Sequence, residues 1–280
     1  MIFAKVLIPI DSSEESRTIV RWAAGLAKAT KAEITLLSVV DPEELQIVEA
    51  TAAGTFRTDA TKEVIEEFVA KRKAELEVEA EELRKTGIGV AVRAVAGAPA
   101  EMIVTEAKGI GVDLIAMSTR RESALARGIL GSVTDRVLHS TAIPLLILQP
   151  EDITDESIGA GFIRHIVVPL DGSELSETAV GPAIEIARGT GAEIVFTEVV
   201  KLPVYGMDMG GVGYGSVHYA EALDTKIQEE AAAEYLKAFV ENAETAGIKA
   251  RAEVRVGNPS IQIVDEAAAD EIGRASCRER

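Results

Sequence analysis

The chain has 280 residues, 47% of them hydrophobic, and a formal net charge of −17 at pH 7 with an isoelectric point near 4.7. That balance excludes nucleic acid or an anionic membrane as partner, since counterion release needs clustered Lys and Arg; the acidic residues read as solvated helix faces, as in Glu63–Glu82. Cys277 is the only cysteine, His139, His165 and His218 lack ligand spacing, and no run of about 18 apolar residues occurs, which excludes disulfides, a zinc site and a membrane span.

In chain order, Phe3–Ile10 is a β-branched apolar run, short enough for a buried strand. Ser12 and Glu15 form a capping box, and Ile19, Val20, Ala23, Leu26 and Ala27 follow at helical spacing, with Trp22 in the same apolar pattern and so in the core. Ile34–Val40 is a second strand. Beyond the variable stretch Asp41–Ala60, a long helix turns Val64, Ile65, Phe68, Val69, Leu76 and Leu83 inward and is stopped by Gly87 and Gly89. Val90–Val95 is a third strand, Pro99 opens a short helix, Val112–Met117 is a fourth strand, Ser132–Ser140 a helix and Pro144–Leu148 a fifth strand. The N-terminus, MIFAKVLIPID, lacks the basic and long apolar stretches of a signal peptide, so a cytoplasmic protein is expected.

The chain then repeats itself. AKVLIPIDSSEES (Ala4–Ser16) returns as RHIVVPLDGSELS (Arg164–Ser176), Ser38-Val39-Val40 as Glu198-Val199-Val200, and Gly97-Ala98-Pro99 as Gly257-Asn258-Pro259, all at an offset of 160 residues. This is a duplicated domain. Alternating β and α with continuous apolar strands means α/β, a doubly wound, open, parallel five-stranded sheet of Rossmann-like order 3-2-1-4-5. The expected organisation is a complete domain at 1–150, a linker at 151–162, and a second copy at 163–270 with strands Ile166–Leu170, Ile194–Val200 and Ala250–Val256. That copy stops before counterparts of strand 4, the loop after it and strand 5. The tail Glu271–Arg280 (EIGRASCRER) looks like a translated sequencing adapter and is excluded from the fold.

In such a sheet, ligands sit beyond the carboxyl ends of the strands where strand order reverses, here between strands 1 and 4. Pro9-Ile10-Asp11, the strand 2 end at Val39 and the loop from Ser118 to Ser132 converge there. Gly131 allows close approach to a ligand, Ser132 is placed to cap the next helix with Asp135 three residues on, and the amides of Ser132, Val133 and Thr134 face outward, an arrangement that attracts phosphate. Arg120, Arg121 and Arg127 make this loop locally basic. On these residues alone a phosphate site and a plain capped helix with surface arginines stand equally open. Gly206–Gly215 (GMDMGGVGYG) follows strand 2 rather than strand 1 and reads as a loop; Asp11 lacks the acidic pair of a phospho-accepting receiver; no nucleophilic triad or G-x-S-x-G elbow occurs.

VLIPIDSSEES, LLSVVDP, VAGAPAEMIV, DLIAMSTRR and RGILGSVTDRVLHSTAIPLLIL together resemble a universal stress protein domain, and the chain resembles a tandem member of that family with its second domain truncated. The resemblance implies an adenine nucleotide alpha hydrolase-like fold. Nucleotide-binding members carry a glycine, two residues, a second glycine, nine residues, then Gly-Ser or Gly-Thr. Here Ser118 and Arg121 replace the two early glycines, while Gly131-Ser132 fit as they stand. By position, Pro9 and Asp11 border adenine and ribose, Val39 meets adenine through its backbone, and Gly131, Ser132 and Val133 hold phosphate, with Ser118, Thr119, Arg120 and Arg121 as the loop between. Arg121 is strained if its position needs positive φ, or else sets a guanidinium beside the phosphates. Pro169, Asp171 and Val199 keep the adenine side of a partial second site. The implied ligand is ATP, alone or with Mg²⁺, bound by a regulatory stress-response module with at most slow hydrolysis. The implied partner is another copy, or the second domain, paired through the last strand at Ile143–Leu148. The alternatives are a nucleotide-free dimerisation module and a slow ATPase.

Overall fold

A computed structural model describes residues 3–11, 13–45, 61–118, 131–148, 163–201 and 214–269. The chain divides into two compact units, Met1–Ala160 and Gly161–Arg280.

Unit one runs β1 (Lys5–Pro9), α1 (Glu14–Thr30), β2 (Glu33–Val40), α2 (Lys62–Lys85), β3 (Val90–Ala96), α3 (Pro99–Ile110), β4 (Leu114–Ser118), α4 (Ser132–Ser140) and β5 (Leu145–Leu148). Its five strands are all parallel, in the order β3-β2-β1-β4-β5. Successive residues of β1 and β2 are buried because both faces are covered. Leu7, Leu37, Ile115 and Met117 pack with Ala100, Ile103 and Val104 of α3 and Val137 of α4. The alternate positions Val6, Ile8, Ile34 and Leu36 are equally buried on the other face, as are Ile19, Trp22, Ala23 and Leu26 of α1. Two short links set the register of the layers. The Asp113 carboxylate accepts the amides of Ala4 and Lys5, both at 2.9 Å, and so ties β4 to the start of β1. Arg84 at the end of α2 donates from Nε and Nη2 to the Val90 carbonyl at 3.0 and 2.9 Å.

Several element ends differ from the sequence expectation, each for a local reason. Asp11 Oδ1 accepts the Ser13 amide at 2.9 Å and the Ser13 hydroxyl as well, an Asx turn that carries the chain one residue further before α1 opens at Glu14. Ser13 directly precedes the helix, and Ser12, the expected cap, lies outside the described residues. β4 starts at Leu114 rather than Val112, because Gly111 is left-handed (φ 64°) and the Val112 amide still donates to Ala107 O at 3.1 Å to close α3. In α2 only Leu76 and Ala80 are fully buried, while Val64, Ile65, Phe68, Val69 and Leu83 are half-buried. Its 24 residues span about 36 Å, well beyond the roughly 25 Å of the strands it covers.

Unit two contains β6 (His165–Leu170), α5 (Glu174–Glu177), α6 (Val180–Thr190), β7 (Glu193–Val200), α7 (Tyr214–Thr245), β8 (Ala250–Val256) and α8 (Pro259–Ala269). Its described strands form a parallel sheet in the order β6-β7-β8, which repeats β1-β2-β3. Val168, Leu170, Ile194, Phe196, Leu236 and Ala243 make its core, with Phe239 5.8 Å from Phe196 and edge-on to Tyr235 at 5.1 Å. The Asx turn recurs: Asp171 Oδ1 accepts the Ser173 amide and hydroxyl at 3.0 and 2.6 Å, and Ser173 Oγ caps α5 by accepting the Ser176 amide at 3.1 Å. The counterpart of α1 is split into α5 and α6, because Pro182 has no N–H to offer the Thr178 carbonyl. The stretch read as a loop at Gly206–Gly215 ends sooner, since α7 already begins at Tyr214; its first residues lie outside the described ones.

The repeated Gly-x-Pro corner has a physical cause. Gly97 has φ 145° and Gly257 φ 138°, and their amides donate to Val40 O and Val200 O at 3.0 and 2.9 Å. A Cβ at Gly97 would lie 2.8 Å from Met102 Cγ. The repeat departs in what it leaves uncovered. Val104 on α3 is 7% exposed, whereas Val264, its counterpart on α8, is 62% exposed, with Ile261 also exposed beside it on the same helix.

Candidate functional site

The carboxyl ends of β2, β1 and β4 open into one cleft of about 480 Å³ in unit one. Pro9, Asp11, Val39, Ser118, Gly131, Ser132 and Val133, seven of the residues singled out from the sequence, line it together. Thr119, Arg120 and Arg121 lie outside the described residues. The lining also includes Asp41, Glu44, Pro99, Ile103, Met117 and Thr134. Of these, sequence reasoning named only Thr134, through its amide, although Asp41 directly follows strand 2 and Pro99 starts the helix that leaves strand 3.

The β4 side of the cleft is the start of α4. Gly131 is the residue before the helix, with φ −58° and ψ 150°, and no side chain caps it. Ser132 therefore does not cap the helix but is its first residue. Gly131 takes an ordinary extended conformation, so the use of glycine there lies in close approach rather than in a special dihedral. The first bond of the helical ladder is Asp135 N–H to Gly131 O at 2.9 Å. The amides of Ser132, Val133 and Thr134 precede that ladder and form the positive end of the helix dipole.

The β2 side is acidic. Asp41 Oδ1 accepts the Glu43 amide at 2.9 Å and starts a helical turn that carries Glu44 to the cleft. Asp11, oriented by its turn with Ser13, stands between, at the end of β1. Leu37, Ile103 and Met117 supply apolar lining. With strands about 4.8 Å apart, the positive and acidic walls stand roughly 10 Å from each other across β1. The arrangement suits a molecule with an anion at one end, an apolar plate and hydrogen-bond donors at the other. α3 is held in place for this by Arg93 Nε on Glu106 Oε2 at 2.5 Å.

In unit two, Pro169, Asp171 and Val199 stand at the corresponding strand ends, but their surroundings differ. Glu198 takes the place of Ser38 and Tyr235 that of Glu75. Burial pushes the Glu198 carboxyl above its ordinary value and the charge of Asp171 adds to this. Hydrogen bonds from the Ser173 and Ser176 side chains hold Asp171 below its own. The Tyr235 hydroxyl donates to Glu177 Oε1 at 3.0 Å, and burial followed by that contact pushes its pKa up to about 12. Among the described residues no helix start faces these groups as α4 faces Asp11. Nor, among them, does any cluster of three His, Cys, Asp or Glu suit a metal ion, and no helix is long and apolar enough to cross a membrane.

The sequence profile of the universal stress protein family matches residues 3–149 and again 163–272. The chain belongs to the universal stress protein family. Its two matched segments make it a tandem member. The universal stress protein YxiE of Bacillus subtilis is 31% identical over 152 residues, 53% of this chain and 100% of that one. A universal stress protein of Methanocaldococcus jannaschii is 29% identical over 148 residues, 53% of this chain and 83% of the relative. The crystal structure of a universal stress protein from Archaeoglobus fulgidus superposes with a TM-score of 0.65 over 96% of this chain and 84% of that one at 23% identity, a likeness of fold.

Proposed function

We propose that unit one binds an adenine nucleotide, with ATP as the expected ligand, and works as a regulatory stress-response module rather than as an efficient enzyme. The observation that carries this reading is the uncapped start of α4 facing an acidic wall across apolar lining. In it the phosphates sit on the amides of Ser132, Val133 and Thr134, where hydrogen bonds and the helix dipole act together. Ribose hydroxyls donate to Asp11, and the base lies against Val39, Leu37 and Ile103 with its amino group toward Asp41 and Glu44. A cleft of about 480 Å³ suits a ligand of this size. Mg²⁺, where present, would travel on the phosphates. The described carboxylates of the cleft stand at its middle and far wall, away from the phosphate end, so the arrangement favours holding a nucleotide over hydrolysing it.

Equilibrium dialysis with ATP and Mg²⁺ tests the reading; no binding at millimolar nucleotide sinks it. Gly131→Val sharpens the test, because φ −58° and ψ 150° are open to valine without backbone strain. Its Cβ branch intrudes where phosphate approaches, and the loss of two charge-assisted bonds lowers affinity by about 100-fold or more. Unchanged affinity in that variant would place the ligand elsewhere.

A second reading, self-association, is favoured by β5. Among the described residues this strand pairs only with β4, and its four residues, Leu145–Leu148, are apolar and half-buried at the edge of the sheet. Such an edge is a template for another strand. A concentration-independent monomer in light scattering would remove this reading.

A further inference from the structure

We infer that Thr134 is a positioning residue of the cleft in unit one: its hydroxyl, bonded to the last carbonyl of β4, sets where the free amides of α4 stand. The inference rests on the nucleotide reading and adds to it the part that places the phosphate end.

Thr134 is 4% exposed, one of four buried polar side chains among the described residues. Its Oγ1 donates to the Ser118 carbonyl at 3.3 Å, joining positions 16 apart in sequence. A threonine beyond the first turn of a helix can satisfy its hydroxyl on the carbonyl four residues back. Thr30, Thr190 and Thr245 all do so in this chain, to Leu26 O, Ile186 O and Glu241 O at 2.9, 2.8 and 2.7 Å. Thr134 stands in the first turn of α4, where the position four residues back precedes the helix, and its hydroxyl reaches across to the strand. The bond leaves from the first turn of the helix, next to the amides of Ser132 and Val133. It ends on Ser118, which is itself in register with Leu148 of β5. One buried link thus references the anion-facing end of α4 to the sheet. Val133 and Val137 add non-directional apolar contact with the core around Leu7 and Ile115, whereas the Thr134 bond fixes one named atom of the first turn against β4. Holding the donors before the ligand arrives reduces the ordering cost of binding.

The test compares Thr134→Val, which keeps shape and loses the donor, with Thr134→Ser, which restores it. In the ligand-free protein, Thr134→Val should speed hydrogen exchange at the first turn of α4 while β1 and β2 keep their protection. ATP affinity should fall on the order of tenfold, the worth of one hydrogen bond. Adenosine, which has no phosphate, should bind as before, and Thr134→Ser should recover ATP affinity. Unchanged exchange at α4, or equal losses for ATP and adenosine, would overturn the positioning role even if nucleotide binds. Failure of the unaltered protein to bind ATP would instead remove the nucleotide reading and this role with it.

Discussion

Glu266 is the most consequential single charge in unit two. It sits on α8 with its side chain 1% exposed, accepting from Arg251 Nη2 at 3.4 Å and from Arg255 Nη2, both on β8. Glu266→Gln keeps the shape and removes the charge, leaving two guanidinium groups facing a neutral amide. Breaking a fully buried pair costs about 3–5 kcal/mol. Here Arg251 is 31% and Arg255 40% exposed, and solvent screening brings the figure to about 2–3 kcal/mol. Among the described residues the counterpart in unit one is a single contact, Glu106 with Arg93, whose side chains are 13% and 45% exposed. Glu106→Gln should therefore cost only about 1 kcal/mol. Segment-resolved hydrogen exchange reads the two units separately and avoids a single melting curve for a chain with two units. Glu266→Gln should strip protection from β8 and α8 and leave β3 and α3 untouched, with the reverse and smaller pattern for Glu106→Gln. Equal costs for the two variants, or unchanged protection at β8, would refute the argument that burial makes this carboxylate hold α8 to the sheet.

Three further outcomes are expected. Tyr235 has a pKa raised from 10.0 to about 12, so it contributes stability that is fully present below pH 10 and is lost as pH rises through about 12; Tyr235→Phe should abolish this alkaline transition in absorbance-monitored unfolding, and an unchanged profile would count against the bond to Glu177. The Glu198 carboxyl is raised, so its contribution is present below the ordinary carboxylate range and lost as pH rises above it; Glu198→Gln should stabilise unit two at pH 7 and have little effect at pH 4, and a loss at pH 7 would contradict this. Gly97→Ala and Gly257→Ala both meet an unfavourable φ, but the first also meets Met102 Cγ at 2.8 Å and the second only the end of Gln262, at 3.4 Å; chemical denaturation should show the first to be the more costly, at about 2–3 kcal/mol, and the opposite order would argue against the steric account.

The strands, their order and the core were legible because they depend on apolar runs and on β/α alternation, which survive averaging over neighbours. Trp22 and the α1 pattern around it fell where spacing placed them. The cleft was legible in outline because strand order dictates where it opens. What escaped was settled by single hydrogen bonds made or missing at particular residues. Asp11 closes a turn on Ser13, the counterpart of α1 breaks before Pro182, and the Thr134 hydroxyl reaches Ser118. Asp41 and Glu44 escaped for a related reason, since a carboxylate after a strand reads as surface until the turn it starts faces a cavity.

The exposed Val264 and Ile261 on α8 have a bearing on how the protein behaves in solution. Exposed apolar surface on a helix is colloidally sticky, and a net charge of −17 at pH 7 supplies the repulsion that keeps molecules apart. That repulsion vanishes near pH 4.7 and is screened by salt. Solubility should therefore fall steeply on acidification or in concentrated salt, with α8 as the point of adhesion, and Val264→Lys should widen the range of conditions in which the protein stays dispersed.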